Sequence, residues 1–282
     1  EIMAIPIIND WEKFFSNPYE GLGSSYERII LNDLLFQTVN NYNVHKVLES
    51  PSFGFTGISG INLLNLAELG LDITLEDNDL HRLNLIENLW NKLGYQVDLV
   101  YNPEFTKLDY PDKSFDMSFS FSALWFVSDL ANFLKELSRV TAQVIFISVP
   151  NRDGIGFKLQ MKDYSPEKYP QITLSYIDPS SIIYILKKFN WNLVDSGYFD
   201  CPPWPDIGMT KEELLKKWFP QLPITKIFKE KPDEEAGSIL DYYSGKDPDF
   251  AQRMHRYQWL EKTAPISFKK IWAHHYYMIF AP

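Results

Sequence analysis

Residues 108–117 read LDYPDKSFDM, and this stretch decides the fold. It leads into an apolar run, Phe115–Phe121, which predicts a strand. Residues 129–151 follow and read DLANFLKELSRVTAQVIFISVPN. From Leu130 their apolar positions recur at i, i+3, i+4 and i+7, which predicts a helix. Val144–Val149 is nearly all apolar, which predicts a strand covered on both faces.

The same alternation of strand and helix extends in both directions from this stretch. Runs that we interpret as further strands lie at Val44–Glu49, Ile73–Glu76, Val97–Tyr101, Asn192–Phe199 and His274–Ala281. Helical patterns separate most of these runs, and strands that alternate with helices imply right-handed crossovers. The sequence therefore predicts an α/β fold built on a doubly wound, mostly parallel sheet.

Residues that favour helix ends occur where these helices should begin and end. Asp79 precedes an amphipathic pattern as an N-cap, and Gly94 follows it as a terminator. Gly70 ends the preceding helix in the same way. Asp178 is followed by Pro179, and proline is favoured at the first position of a helix. These signals predict the bounds of the crossover helices.

Length and composition accommodate one large core with a smaller cap. The chain has 282 residues, of which 45% are apolar and 16% aromatic, and this is enough for one sizeable α/β core. We divide the chain into an N-terminal segment and helix at 1–43, a core at 44–200, a helical insertion at 201–272 and a last core strand at 273–282. Helix-like stretches within the insertion are Lys211–Phe219 and Asp249–Lys262.

Charge and cysteine content exclude several classes of protein. The net charge is −10, and residues 1–200 carry 26 acidic against 15 basic side chains. Such an acidic body repels phosphate backbones, so we expect no nucleic-acid partner. Cys201 is the single cysteine, which excludes an internal disulfide framework and fits a cytoplasmic location. No apolar run approaches about 20 residues, so we expect no membrane span, and no His and Cys spacing predicts a metal site.

The two stretches 108–117 and 129–151 resemble the segments around the fourth and fifth strands of class I S-adenosylmethionine-dependent methyltransferases. The resemblance covers roughly residues 44–200 and the last strand. It implies a seven-stranded Rossmann-like sheet in which the last strand runs antiparallel between the fifth and the sixth. It also implies S-adenosylmethionine as the cofactor and methyl transfer as the reaction.

The resemblance places the first part of a cofactor site after the first strand. Glu49 matches an acid that meets the ammonium of the methionine part of the cofactor, and the loop that follows, residues 50–60, reads SPSFGFTGISG. Ser52, Gly54 and Gly57 are the contacts expected from this loop, since glycine lets a ligand approach the backbone closely. The loop is longer than the Glu/Asp-x-Gly-x-Gly-x-Gly pattern of the family, and its glycines could equally serve a turn and tight helix packing.

The second and third strand ends supply further candidates. Glu76 ends the second strand, where a carboxylate can accept hydrogen bonds from both ribose hydroxyls, as in nicotinamide and S-adenosylmethionine sites. Asp77 is its neighbour and is also assigned to the site, although a solvated acidic loop would explain it equally. Glu104 matches an acid that accepts the adenine amino group, with Phe105 as the apolar neighbour of the ring. Asn102 competes for the role of Glu104.

Ser120 and Phe121 end the fourth strand, where backbone and side-chain atoms flank the cofactor in the family, although Phe121 could equally belong to the core. We assign no catalytic base. His81, His274 and His275 lie near strand ends, but each is more often a surface or packing histidine. Methyl transfer from a sulfonium mainly needs alignment and exclusion of water, so it requires neither a metal nor a covalent nucleophile.

Aromatic residues are concentrated before the core and in the insertion. They are consistent with an apolar chamber for a hydrophobic or aromatic small-molecule acceptor, or with a small second core that holds the insertion to the sheet. Our leading hypothesis is a small-molecule methyltransferase. The alternatives are a catalytically inactive relative that serves as a binding or scaffold module, and a nicotinamide-dependent oxidoreductase. Against the last, the spacing Gly54-x-x-Gly57-x-x-Gly60 is not the Gly-x-Gly-x-x-Gly of dinucleotide sites.

Overall fold

A computed structural model describes residues 11–53, 57–162, 164–204 and 237–282 of the chain. The strands are β1 Lys46–Glu49, β2 Asp72–Asp77, β3 Asp98–Tyr101, β4 Phe115–Phe121, β5 Thr141–Pro150, β6 Asn192–Phe199 and β7 His275–Ala281. The α-helices are α1 Lys13–Ser16, α2 Gly21–Tyr42, α3 Leu64–Glu68, α4 Leu80–Leu93, α5 Leu130–Val140, α6 Ile155–Gln160, α7 Pro179–Lys188, α8 Ile239–Tyr243, α9 Phe250–His255, α10 Trp259–Thr263 and α11 Ile266–Trp272. Short 3₁₀ turns lie at Leu124–Phe126 and Leu174–Ile177.

The seven strands form one sheet in the order β3-β2-β1-β4-β5-β7-β6. β1 to β5 pair in parallel, whereas β7 runs antiparallel to both of its neighbours, with Tyr277 opposite Ser148 of β5 and opposite Gly197 of β6. This arrangement confirms the predicted doubly wound sheet and the position of its antiparallel last strand. The direction in which successive strands are added reverses between β1 and β4, and in open α/β sheets ligands bind at such a reversal.

Local capping explains where the crossover helices begin. The side chain of Asp79 accepts hydrogen bonds from the backbone amides of His81 and Arg82, and Gly94 ends the same helix in a left-handed conformation. Asp129 caps α5 through the amide of Asn132. Asp178 and Pro179 open α7 in the same manner. An acceptor at the N-cap satisfies amides that have no partner within the helix, so these short polar signals fix the helix starts, and the predicted caps are confirmed.

Different helices cover the two faces of the sheet. Along β5, Val144 and Phe146 belong to an apolar cluster with α2, α3 and α4, whereas Ile145 and Ile147 belong to a cluster with α5 and α7. All four side chains are fully buried. A strand with helices on both of its faces must be apolar at every position, which is why this run has no alternating pattern. β5 is longer than the predicted Val144–Val149 because it begins at Thr141.

Helices of the predicted insertion pack against α2. Asn32 of α2 donates a hydrogen bond to the hydroxyl of Tyr243 (2.9 Å), and Phe250 is buried in the same cluster as the apolar side of α2. The predicted helix Asp249–Lys262 is divided into α9 and α10. Lys211–Phe219 lies outside the described residues, and the division into core and insertion stays a prediction. Among the described helices, none combines the length and apolar character of a membrane span.

Gly60 offers a test of how the loop after β1 packs on α4. Its backbone is left-handed (φ +72°), and an added Cβ would lie 2.5 Å from Cδ1 of Ile86. We predict that Gly60→Ala lowers the free energy of unfolding by about 1–3 kcal/mol more than Gly70→Ala does. Gly70 is the matched control because it is also left-handed (φ +85°) with no atom within 4 Å of an added Cβ. Chemical denaturation measures both losses, and equal losses would show that backbone conformation alone sets the cost.

Candidate functional site

The carboxyl ends of β1 and β2 carry two buried carboxylates. Glu49 ends β1 and Glu76 lies next to the end of β2, and each side chain is 1% exposed. Leu75, which directly precedes Glu76, is paired with Glu49 across the two strands. We call Glu49 and Glu76 the carboxylate pair. Both lie at the edge of the sheet where the order of strands reverses, so the fold places them where ligands bind in such sheets.

Glu49 has one oxygen engaged and one oxygen free of protein hydrogen bonds. Its Oε1 atom accepts from Nδ2 of Asn62 at 2.7 Å, and its Oε2 atom is buried with no hydrogen-bond partner among the described residues. Burial raises the pKa of Glu49 to about 8, and the hydrogen bond from Asn62 offsets only part of the increase. An unpaired buried carboxylate oxygen is costly. A cationic donor at Oε2, such as a ligand ammonium, would remove this cost.

Glu76 is held by neighbours from two loops. Ser50 Oγ donates to it at 2.8 Å, and Nδ2 of Asn102 lies 3.4 Å from the same oxygen. Burial raises the pKa of Glu76, with Ser50 opposing the increase. Asn102 also donates to the carbonyl of Lys107 and accepts from the amide of Phe105. Asn102 thus shapes the loop after β3 and contacts the carboxylate pair directly.

Asp77 is engaged by protein groups on both oxygens. Arg82 of α4 donates to both oxygens of Asp77, with Nε at 2.8 Å from Oδ2. Ser52 Oγ donates to Oδ2 at 2.9 Å, and the amide of Asp79 donates to Oδ1. Asp77 and Ser52 therefore join the loop after β1 to the start of α4. Both oxygens of Asp77 are engaged by protein groups, whereas Ser50 and Asn102 reach a single oxygen of Glu76.

Phe53 lies between the loops that follow β2 and β4. The guanidinium carbon of Arg82 is 3.8 Å from the centroid of its ring, and the ring of Phe126 is 5.3 Å away. Phe53 is 8% exposed. The ring is held from one side by a cation–π contact, which joins the loop after β1 to α4. Gly54, the next residue, lies outside the described residues.

Gly57 allows a carboxylate from the N-terminal helix to reach the loop. An added Cβ at Gly57 would overlap Oε1 of Glu20, and this oxygen accepts from the amide of Ile58 at 2.6 Å. Arg28 of α2 donates to both oxygens of Glu20 at 2.6 and 2.7 Å and to Oδ1 of Asn62 at 2.9 Å. A continuous hydrogen-bonded chain thus runs from Glu20 through Arg28 and Asn62 to Glu49.

The remaining predicted residues are distributed differently. Glu104 has an exposed side chain, and its carbonyl accepts from Ser128 Oγ. Phe105 is buried with a left-handed backbone (φ +55°). Ser120 is buried, and its hydroxyl has no hydrogen-bond partner among the described residues. Phe121 packs between Phe119 and His275 within the apolar core. The structure thus places Glu49 and Glu76 at neighbouring strand ends, whereas the side chain of Glu104 is exposed.

The candidate histidines occupy three different environments. His81 is an exposed residue 3.1 Å from Oε1 of Glu12. His274 donates from Nδ1 to Asp200 at 2.6 Å. His275 is fully buried, with Nδ1 3.1 Å from Ser122 Oγ. The first is a surface histidine, whereas the other two belong to a cluster at the ends of β4, β6 and β7.

Sequence reasoning missed Glu20, Arg28 and Asn62, which support the carboxylate pair. Arg28 lies 8 residues after Glu20 and 34 residues before Asn62, so no short motif contains the three. One signal was available in the sequence. Glu27 and Arg28 immediately precede the apolar run Ile29-Ile30-Leu31, and charged residues on a buried helix face require partners.

Comparison with known families and structures places this geometry in context. Residues 56–144 match the family model described as a methyltransferase domain. No curated protein matches the chain. A candidate sarcosine dimethylglycine methyltransferase from Galdieria sulphuraria superposes with a TM-score of 0.52 at 13% identity, over 89% of this chain and 84% of that one. The MccD protein superposes with a TM-score of 0.52 at 13% identity, over 89% of this chain and 95% of that one.

A protein from Pyrococcus horikoshii OT3 superposes with a TM-score of 0.50 at 15% identity, over 67% of this chain and 93% of that one. Identities this low establish likeness of fold alone. Together with the family match, they give the chain the class I methyltransferase fold, and residues 56–144 are the part that matches the methyltransferase-domain model. The resemblance seen in the sequence is thereby confirmed.

Glu49 should make stability depend on pH. Its pKa of about 8 in the folded protein exceeds the ordinary value of 4.5, so the folded state keeps a proton that the unfolded state loses. The free energy of unfolding of the wild type should therefore fall, relative to Glu49→Gln, as the pH rises from about 4.5 to about 8. Urea denaturation across this range measures the difference, because other groups titrate equally in both proteins. For Glu87→Gln, at an exposed position of α4, the free energy of unfolding should change with pH as it does in the wild type. The same pH dependence in Glu49→Gln and the wild type would contradict a raised pKa of Glu49.

Proposed function

We propose that this protein transfers the methyl group of S-adenosylmethionine to a small-molecule acceptor. The observation that carries the proposal is the Oε2 atom of Glu49, which is buried and has no hydrogen-bond partner among the described residues. A ligand ammonium supplies the donor and the positive charge that this oxygen needs. Glu76, at the end of the next strand, is the matching acceptor for ribose hydroxyls. A ligand with an amino group at one end and a nucleoside at the other would engage both carboxylates.

Several residues of the chain would hold the cofactor. We assign Glu49 to the methionine ammonium and Glu76 to the ribose. Phe105 provides an apolar surface beside the base, and Ser120 offers a buried hydroxyl at the end of β4. Glu104, which the resemblance pairs with the adenine amino group, would have to turn inward from its exposed position. Asn102 already contacts Glu76 and is the nearer polar group.

The bound cofactor supplies a methyl group that its sulfonium already activates. The contribution of the chain is to fix positions and to exclude water. Arg28, Glu20 and Asn62 hold Glu49 in one orientation through the hydrogen bonds described above. Asp77 and Arg82 hold the loop after β1 against α4. Rigid support of this kind favours aligned displacement because the reacting groups need little reorganisation.

The aromatic residues near α2 indicate whether the acceptor needs an aromatic chamber. Tyr26 is fully buried and 5.7 Å from Trp204, which in turn lies 4.9 Å from Tyr257, measured between ring centroids. These contacts favour the interpretation that the rings attach the insertion to the core. We therefore propose a small-molecule acceptor without committing it to an aromatic ring.

Calorimetric titration with S-adenosylhomocysteine and S-adenosylmethionine tests the proposal. We expect the wild type to bind both and Glu49→Gln to bind about 10- to 100-fold more weakly, since a charge-assisted hydrogen bond is worth about 1.5–3 kcal/mol. Glu76→Gln should weaken binding in the same range, and the exposed control Glu87→Gln should leave it unchanged. Failure of the wild type to bind either ligand would exclude an S-adenosylmethionine-dependent enzyme.

Binding near pH 7 should also release a proton. Free Glu49 has a pKa of about 8, so most molecules carry a proton there that the ligand ammonium would displace, up to about one per ligand. Titrations in two buffers of different ionisation enthalpy measure this release. Glu49→Gln should release none from this position. Equal release by both proteins would place the ligand ammonium elsewhere.

A catalytically inactive binding module is the second candidate, and Phe53 is the observation that favours it. The ring lies against Arg82 and Phe126, directly after Ser52 in the loop that we predict to contact the cofactor. The variant Phe53→Ala distinguishes the two functions. If the protein is an enzyme, the wild type binds S-adenosylhomocysteine. If it is a module whose site is closed by the Phe53 ring, only the Phe53→Ala variant binds this ligand. Phe14→Ala, which removes a buried ring from the apolar core, controls for a general loss of packing.

A further inference from the structure

A second group of buried ionisable side chains lies at the ends of β4, β6 and β7. Glu27 of α2, Asp200 after β6 and His275 at the start of β7 each offer a ligand atom, and these atoms all lie within 4.8 Å of one another. The three residues are 6%, 2% and 0% exposed. We call Glu27, Asp200 and His275 the buried triad. It involves other strand ends than the carboxylate pair and has no part in the function proposed above.

The separation of His275 and Glu27 matches that of two ligands on one ion. Nε2 of His275 lies 3.3 Å from Oε1 of Glu27. A charge-assisted hydrogen bond between such groups is shorter, about 2.7–2.9 Å. Two ligand atoms that each lie about 2.1 Å from a zinc ion at a near-tetrahedral angle are about 3.4 Å apart. The observed separation of 3.3 Å agrees better with two ligands on one ion than with a direct hydrogen bond.

Neighbouring residues orient the ligand atoms as the second shell of a metal site does. Nδ1 of His275 lies 3.1 Å from Ser122 Oγ, so a proton on Nδ1 leaves the lone pair of Nε2 facing Glu27. His274 donates to Oδ2 of Asp200 at 2.6 Å. Metal-binding histidines usually donate their other ring N–H to an oxygen, and ligating carboxylates are themselves hydrogen-bonded.

Asp200 provides the observation that points to a cation as ligand. Its Oδ1 atom is buried and has no hydrogen-bond partner among the described residues. An ionised carboxylate that is removed from water needs a partner on each oxygen. His274 satisfies one oxygen only. A cation among the three residues would satisfy the other.

The surroundings hold the buried triad rigidly. The rings of Phe121 and Phe199 lie 4.9 and 5.2 Å from the imidazole of His275, measured between centroids. Ser122 and Asp200 both have left-handed backbones, at φ +48° and +59°. Non-glycine residues in this conformation are strained and persist where the surrounding structure fixes them. Apolar walls and a fixed backbone are what a preformed ion site requires.

We propose that Glu27, Asp200 and His275 bind one divalent transition-metal ion. One imidazole and two carboxylates favour zinc, manganese, iron(II) or cobalt(II) over calcium and magnesium, which prefer oxygen ligands alone. Two carboxylates and a neutral imidazole carry two negative charges, which such an ion neutralises. The ligands come from the beginning, the middle and the end of the described chain, so no spacing motif reveals them.

Cobalt(II) and zinc binding to the full-length, tag-free protein tests this site. Protein stripped with a chelator and then dialysed should take up one equivalent of zinc, measured by elemental analysis. Cobalt(II) should give visible absorption bands that zinc abolishes, because both ions take the same ligands. Zinc at saturation should raise the melting temperature of the wild type. Asp200→Asn should bind at least tenfold more weakly.

His255→Gln is the matched control variant. His255 lies 3.0 Å from Oδ2 of Asp33 but is an exposed residue of α9, so its loss should leave stoichiometry and spectrum unchanged. Absence of cobalt(II) bands and of retained zinc in the wild type would overturn the proposal, even if Asp200→Asn failed to fold. Equal binding by the wild type and Asp200→Asn would also overturn it. Neither outcome depends on S-adenosylhomocysteine, which is titrated separately.

Discussion

The guanidinium of Arg28 is the group on which the rest of the site depends. It is 4% exposed, and it donates to both oxygens of Glu20, to Asn62 and to the carbonyl of Ile58. Removing a guanidinium from water is costly unless its donors meet well-placed acceptors. The N-terminal helix and the loop after β1 must therefore be positioned together. Because Asn62 also donates to Glu49, the same contacts fix the carboxylate that we assign to the cofactor.

Sequence patterns predicted the elements whose causes are local. Phe115–Phe121 and Asn192–Phe199 are strands with the predicted bounds. Asp79, Asp129 and Asp178 cap helices through amides two or three residues away. The antiparallel position of β7 has a different origin. It followed from the family resemblance, since no local signal in residues 274–281 states which strands they pair with.

The site was predicted less completely because its contacts are distant in the chain. Strand ends identified Glu49 and Glu76 as neighbours, since parallel strands end at one edge. The pattern did not reveal that Arg82 would engage both oxygens of Asp77, or that Glu20 would reach Gly57 from 37 residues upstream. Glu104 illustrates the same limit of local patterns. Its position in the loop was predicted, whereas the direction of its side chain depends on Asn102 and Phe105, which set the path of that loop.

The order of the strands has a consequence for synthesis on the ribosome. β7 lies between β5 and β6, although it is translated after both. Until it emerges, the nascent chain exposes unpaired amides and carbonyls on β5 and on β6, and open edges of this kind recruit other chains. Its arrival also brings His275 to Glu27, so the earliest long helix can complete its buried contacts only when the last strand has been made. During this interval, a chaperone would protect the chain most by covering the open edges of β5 and β6.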